Sequence, residues 1–185
     1  ASHNLSKNRQ FYSEKLEKEI VEELKELNFA DVKFGIAFSK MGHYTKQGFD
    51  MIEFQISTNP GEPVKALTKV VSGGELSRIM LAIKTILADK DDTETLIFDE
   101  IDTGISGRTA QKVSEKMARI GRNHQVLCIT HLPQIAAMAD EHFEILKSVE
   151  GMETRTRIHR LSEDESKLEL ARILGGAKST QAGGE

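Results

Sequence analysis

One stretch, residues 72–131, limits what this chain can fold into more than any other. It opens with Ser72-Gly73-Gly74-Glu75-Leu76-Ser77-Arg78, a small-residue turn running straight into an apolar-periodic segment. It continues with Thr95-Leu96-Ile97-Phe98-Asp99-Glu100, an apolar run that stops on two carboxylates. It closes with Cys128-Ile129-Thr130-His131, a second buried-type run ending on polar groups. Open α/β sheets place ligands at the carboxyl ends of their strands, which is where these polar tips fall. Three such tips in one chain order outweigh any one of them.

The period of the apolar residues sets the elements around this stretch. Leu16, Ile20, Leu24 and Leu27 recur at helical spacing among Glu and Lys, so residues 1–27 are expected to be a long helix. That helix is either an ordinary amphipathic one or the end of a coiled coil entering the domain, and the stripe is too short to decide. The period then drops to two. Val32, Phe34, Ile36 and Phe38 form one alternating strand and Ile52, Phe54 and Ile56 another, joined by a loose loop containing Gly42 and Gly48. These predict an antiparallel layer at the edge of the fold. Asn59-Pro60-Gly61-Glu62-Pro63 breaks regular structure.

From Glu75 to Ala88 the pattern is helical, Thr95–Phe98 is a short strand, Arg108–Gly121 is helical and Gln125–Thr130 is a strand. A short helix through Ile135 and Met138 follows. This alternation argues for parallel pairing with crossover helices. His142–Lys147 and Thr154–His159 flank Gly151 as a hairpin, and a last helix starts at Ser162, with Glu165 completing a capping box, and ends at Gly175-Gly176. The fold class is therefore α/β: a mostly parallel sheet flanked by helices, with antiparallel edge strands. The domain spans 28–176, and 177–185 reads as a flexible tail.

Bulk properties exclude some classes. The chain has 185 residues, 29% charged and 38% hydrophobic, which suits one ordinary globular domain or a domain plus an appendage. A net charge of −4 provides no overall basic field for nucleic acid, although a local patch stays open. The single cysteine, Cys128, excludes an intrachain disulfide and fits a reducing compartment. No apolar run approaches the roughly 18 residues of a membrane span. The expectation is a cytoplasmic protein without membrane partners.

The tips suggest chemistry, each with a plainer alternative. Ser72-Gly73-Gly74 at a helix start can hold an anion through unpaired amides and the positive helix end; equally, Ser72 caps the helix and the glycines make a turn. Asp99 can take Mg²⁺ while Glu100 orients or deprotonates water; equally, both are a solvated strand end. Asp99, Glu100 and Asp102 together could instead bind two metals for nucleic-acid cleavage. His131 could contact a terminal phosphate, or be structural. No Gly-x-x-x-x-Gly-Lys-Ser/Thr motif occurs in the sequence, so a nucleotide would need a cradle from a partner segment.

Taken in order, Ser72-Gly73-Gly74-Glu75, Leu96-Ile97-Phe98-Asp99-Glu100 and His131 resemble the signature motif, Walker B motif and switch histidine of ABC-type ATPases. Their separations, 27 positions from Ser72 to Asp99 and 32 from Asp99 to His131, are similar to those of that superfamily. More narrowly, Asp99-Glu100-Ile101-Asp102-Thr103-Gly104-Ile105-Ser106-Gly107 and Ile129-Thr130-His131-Leu132-Pro133-Gln134-Ile135-Ala136 resemble the RecN family of bacterial double-strand-break repair ATPases. That family is related to the structural-maintenance-of-chromosomes (SMC) proteins, and the closing Ile173-Leu174-Gly175-Gly176-Ala177 is similar to the end of its chains.

The resemblance implies the C-terminal lobe of a P-loop ATPase head, preceded by the last turns of a coiled coil in residues 1–27. It implies a Walker A lobe elsewhere in the same protein, ATP and Mg²⁺ as cofactors, a second head in an ATP-dependent homodimer, and DNA as the ultimate partner in a bacterial, nucleoid-associated setting. By this likeness Ser72, Gly73, Gly74 and Glu75 face the γ-phosphate held by the opposite head. Asp99 assists Mg²⁺, Glu100 polarises water, Asp102 communicates across the dimer and His131 contacts the γ-phosphate. Arg78 supports the geometry of the signature turn. A head lobe lacking its Walker A partner is expected to be inactive alone.

Overall fold

The computed structural model describes residues 1–70, 72–90, 92–150 and 153–175. Helix α1 (Ser2–Glu26) carries Ile20 and Leu24 into the core, followed by Leu27, and Asn28 stops it in the left-handed region at φ 74. Strands β1 (Lys33–Thr45) and β2 (Gly48–Ser57) pair antiparallel beneath it, with Phe34 opposite Ile56, Ile36 opposite Phe54 and Phe38 opposite Ile52. Helix and hairpin are stitched together. Glu17 accepts the amide of Ile36 at 2.7 Å, and Asp50 accepts from the Ser6 hydroxyl at 2.6 Å and from Arg9 at 3.0 Å.

The hairpin departs from the loose loop expected between the alternating runs. Both strands run on until only Lys46 and Gln47 separate the pair Thr45 and Gly48, and the register slips between Lys40 and Thr45. Gly42 lies inside β1, whereas Gly48 sits at the turn with φ 95, a conformation that favours glycine. A two-residue strand, β3 (Lys65–Ala66), adds to the β2 edge after the proline-rich turn, where no strand was expected.

The second layer holds helix α2 (Gly73–Leu87), strand β4 (Thr95–Phe98), helix α3 (Gly107–Ile120), strand β5 (Gln125–Cys128) and the short helix α4 (Pro133–Ala136). β4 and β5 pair parallel, from Thr95 opposite Gln125 to Phe98 opposite Cys128. β5 ends two residues earlier than its apolar run, because Thr130 turns away to bond Asp102. Parallel pairing among the described residues is confined to β4 and β5, and the remaining sheets are antiparallel. α1, the hairpin, α2, α3 and Phe98 share one apolar core that includes Ile79, Leu81, Val113, Ile120 and Ile101.

Strands β6 (Phe143–Glu150) and β7 (Glu153–Arg160) form the expected second hairpin, although its Gly151 turn lies outside the described residues. Helix α5 (Glu163–Leu174) opens on the expected capping box: Ser162 accepts the Glu165 amide, and the Glu165 carboxylate accepts the Ser162 amide. Gly175 follows the helix, while Gly176 and the tail 177–185 lie outside the described residues. No described helix is long and apolar enough to cross a membrane.

Candidate functional site

The site is built outward from the start of α2. Ser72 is extended, and its Oγ accepts the Glu75 amide at 3.3 Å, so the serine does cap the helix. That cap serves one of the first-turn amides and leaves the others at the positive end of the helix. Gly74 is buried because the chain after β4 passes directly over it: a Cβ there would lie 2.8 Å from the Glu100 carbonyl oxygen and 3.0 Å from Thr103 Cβ. At Gly73 a Cβ would fall on the Glu100 carboxylate.

Two side chains of α2 lock this approach. The Ser77 hydroxyl donates to the Asp99 carbonyl at 2.7 Å. Arg78, 6% exposed, donates from Nη1 to the carbonyl of Thr103 at 2.8 Å and of Ile101 at 3.3 Å, with its guanidinium 5.5 Å from the centre of the Phe29 ring. Burial pushes the Arg78 pKa down and the Glu75 carboxylate raises it again; a guanidinium remains cationic under either influence. Its Nε has no hydrogen-bond partner among the described residues. Arg78 thus ties the α2 start to the turn after β4, the supporting place expected of it.

Asp99 and Glu100 are exposed at the end of β4. Asp99 Oδ1 accepts the Glu100 amide at 2.8 Å, and Glu100 adopts φ 56, uncommon for a residue with a side chain. That kink starts the turn closed by the Thr103 amide on the Glu100 carbonyl at 3.0 Å. It also carries the Glu100 carboxylate to Gly73.

Asp102, assigned by resemblance to communication across a dimer, is 5% exposed and engaged within its own chain. Its Oδ2 accepts from the Thr130 hydroxyl at 2.6 Å and the His131 amide at 2.9 Å, and it lies 3.0 Å from His131 Nδ1. The His131 ring itself is 76% exposed. Thr130 and Ser77 were missed in the sequence as site residues. A hydroxyl beside a candidate histidine was the available hint for Thr130; nothing marked Ser77.

Contacts therefore run from the α2 start through the 99–103 turn to the 130–132 turn, bringing the three polar tips into one connected unit. Asp99 offers one exposed carboxylate, which suits Mg²⁺, an ion that takes one or two carboxylates and completes its shell with phosphate and water. Among the described residues no three His, Cys, Asp or Glu side chains converge as a metal cluster, so the two-metal cleavage alternative finds no ligand set there.

Comparison with solved structures defines the class of fold. The chain matches the Smc head domain with a coiled coil and joint from Pyrococcus yayanosii at a TM-score of 0.58 and 20% identity, covering 90% of this chain and 30% of that one. It matches the Pyrococcus furiosus Smc head with an extended coiled coil bound to the ScpA C-terminal domain at 0.53 and 20% identity, covering 89% and 39%. The fold is that of part of an SMC-type head domain.

Sequence relatives narrow the class. The chain is 44% identical to the DNA repair protein RecN of Bacillus subtilis over 96% of its own length and 33% of that protein. Against the RecN of Vibrio cholerae it is 42% identical over 98% and 33%, respectively. Against that of Treponema pallidum it is 50% identical over 70% and 22%. A scan of family models finds no match. The chain belongs to the RecN family, and it spans about a third of the length of the Bacillus and Vibrio relatives, at their C-terminal part.

Proposed function

We propose that the chain is the C-terminal lobe of the ATPase head of a RecN-type DNA repair protein, completed by a Walker A lobe in the same polypeptide. The observation that carries this is the connected unit of the α2 start, the 99–103 turn and the 130–132 turn, which presents an exposed carboxylate pair and an exposed imidazole beside a helix N-terminus. A second feature supports the missing lobe. The outer face of the β4–β5 pair exposes Ile97, Leu127 and Ile129 at 69%, 45% and 52%, whereas parallel sheets are covered on both faces. Relatives about three times longer have the chain to cover it.

In this reading Asp99 would hold Mg²⁺, and the metal supplies charge neutralisation on the phosphates. Glu100 leaves Gly73 and turns to the attacking water, orienting it and accepting its proton. The free amides after Ser72, at Gly73 and Gly74, face the γ-phosphate carried by the opposing head, while the Glu75 amide is held by the Ser72 cap and keeps that turn in place. His131 meets the terminal phosphate on its own side. Contacts made only when two heads close around ATP favour the dimer, and loss of the γ-phosphate releases it. Asp102 lies between these elements, and the head cycle would be coupled to double-strand-break DNA through the rest of the protein in the bacterial cytoplasm.

The deciding experiment is Glu100→Gln in the full-length protein. ATP turnover should fall by about 100-fold or more, as expected for loss of a general base, while ATP-dependent dimerisation, read by light scattering, persists. Undiminished turnover would overturn the role of Glu100. Wild-type protein that binds ATP and bridges DNA without turnover would instead establish a non-hydrolysing architectural module.

A further inference from the structure

The Asp102 carboxylate is an unusual neighbour for an exposed histidine. It is 5% exposed, and one oxygen, Oδ2, gathers the Thr130 hydroxyl, the His131 amide and the His131 ring nitrogen Nδ1. At this 3.0 Å approach a proton on Nδ1 is favoured over a lone pair turned toward the carboxylate, which accepts and does not donate. The second ring nitrogen, Nε2, is then the one turned outward on a ring that is 76% exposed. Which nitrogen of a histidine is available to a ligand is set by the hydrogen bond the other makes. Thr130 adds rigidity, because its Oγ1 also accepts the Leu132 amide at 3.0 Å while donating to Asp102.

We infer that Asp102 is a positioning residue that holds the His131 ring by Nδ1–H and presents Nε2 to the terminal phosphate. The phosphate contact rests on the proposed function above; the tautomer does not. Presented this way, Nε2 can accept a hydrogen bond while the ring is neutral. Toward an anionic oxygen it donates only from the doubly protonated ring.

The tautomer is read directly from long-range ¹H–¹⁵N correlations of the labelled chain at a pH where the ring is neutral, with His131→Gln assigning the signal. Wild-type His131 should be predominantly the Nδ1–H form. Asp102→Asn should shift the majority to Nε2–H, because the amide removes the charge that selects Nδ1–H. Thr130→Val disturbs the same turn without touching the ring contact and should leave the Nδ1–H form dominant. In the full-length protein, Asp102→Asn should lower ATP turnover by about 10-fold or more, the scale of losing an orienting partner.

A wild-type ring in the Nε2–H form overturns the inference whether or not the protein hydrolyses ATP. So does an unchanged tautomer, or unchanged turnover, in Asp102→Asn. If that variant misfolds locally, visible as amide shifts spreading through β5 and α4, the wild-type and Thr130→Val spectra decide. Wild-type full-length protein without turnover would retire the ATPase assignment and leave the tautomer result standing.

Discussion

Glu100 Oε2 lies where the first side-chain carbon of any residue other than glycine at position 73 would have to sit. A carboxylate at the first turn of α2 is electrostatically favourable, because the helix N-terminus is its positive end. Glu100 reaches it through a left-handed backbone, φ 56, that its own sequence does not favour. The glutamate therefore rests on the same helix end that the proposed function offers to a phosphate. Both cannot be served at once. Closure of two heads on ATP would have to move the Glu100 side chain off Gly73, and the water-facing role proposed for it requires the same movement.

The two glycines should answer differently to alanine. At Gly73 the obstacle is the far end of a flexible side chain, which can rotate away. Gly73→Ala is expected to change stability by less than about 1 kcal/mol, with the helix gaining propensity as the Glu100 contact is lost. At Gly74 the obstacles are the Glu100 carbonyl at 2.8 Å and Thr103 Cβ at 3.0 Å, which yield only if the turn moves. Gly74→Ala should destabilise by about 1–3 kcal/mol, as overpacking does. Urea unfolding midpoints of the two variants check this; equal losses would show that the packing of the turn on α2 is not as described.

Arg78 supports the same packing from within. Removing its guanidinium leaves the carbonyls of Ile101 and Thr103 without that donor and opens space beside Phe29. Arg78→Ala should cost about 2–4 kcal/mol, since hydrogen bonds to a charged group are the stronger kind and buried acceptors are left behind. Arg78→Lys should recover only part of this, because an ammonium lacks the planar fork. Denaturant titration of both variants would test the order; a lysine variant as stable as wild type would show that charge alone suffices.

The alternation of Phe34, Ile36 and Phe38 against Ile52, Phe54 and Ile56 was enough to predict the first hairpin, and these residues do face one another across it. The Ser162 and Glu165 capping box was equally legible, because both partners lie within one turn. β3 was not, since two residues carry no period, and Gly42 misled because a glycine in a polar stretch suggests a loop. The polar tips could be located in the sequence, but not what joins them. Arg78 binds backbone carbonyls more than twenty residues away, and carbonyls have no residue signature. The left-handed Glu100 and the inward Asp102 are set by tertiary contacts, which local propensity does not encode.

Helices α1 and α3 are bridged by Lys116, 8% exposed, which is hydrogen-bonded to Glu23 and, at 2.7 Å, to Glu26. The hydrogen bond from Lys116, together with its charge, holds the Glu26 carboxyl below the usual glutamate value of 4.5. A carboxyl depressed in the folded state contributes stability above that usual value and loses it as pH falls through the lower, folded value. Lys116→Met should therefore lose about 1 kcal/mol at neutral pH, a modest figure because Glu26 is half exposed. The difference from wild type should shrink on acidification below 4.5. Thermal melts across that range check it, and a pH-independent difference would assign the effect to packing of the lysine stem.

Cys128 sits on β5 beside the acidic turn, and burial pushes its thiol up to about 12, with the negative charges of Asp102 and Asp99 adding to the rise. Thiols react as thiolates, and each unit of pKa lowers the thiolate fraction about tenfold below the pKa. Against the usual value of 9.0, the folded protein should alkylate about 1000-fold more slowly than the urea-unfolded chain. Iodoacetamide labelling followed by intact mass gives both rates. Asp102→Asn should quicken the folded rate, because one of the two charges opposing the thiolate is gone. A folded rate equal to the unfolded one would place the thiol in water rather than in the half-buried setting of β5.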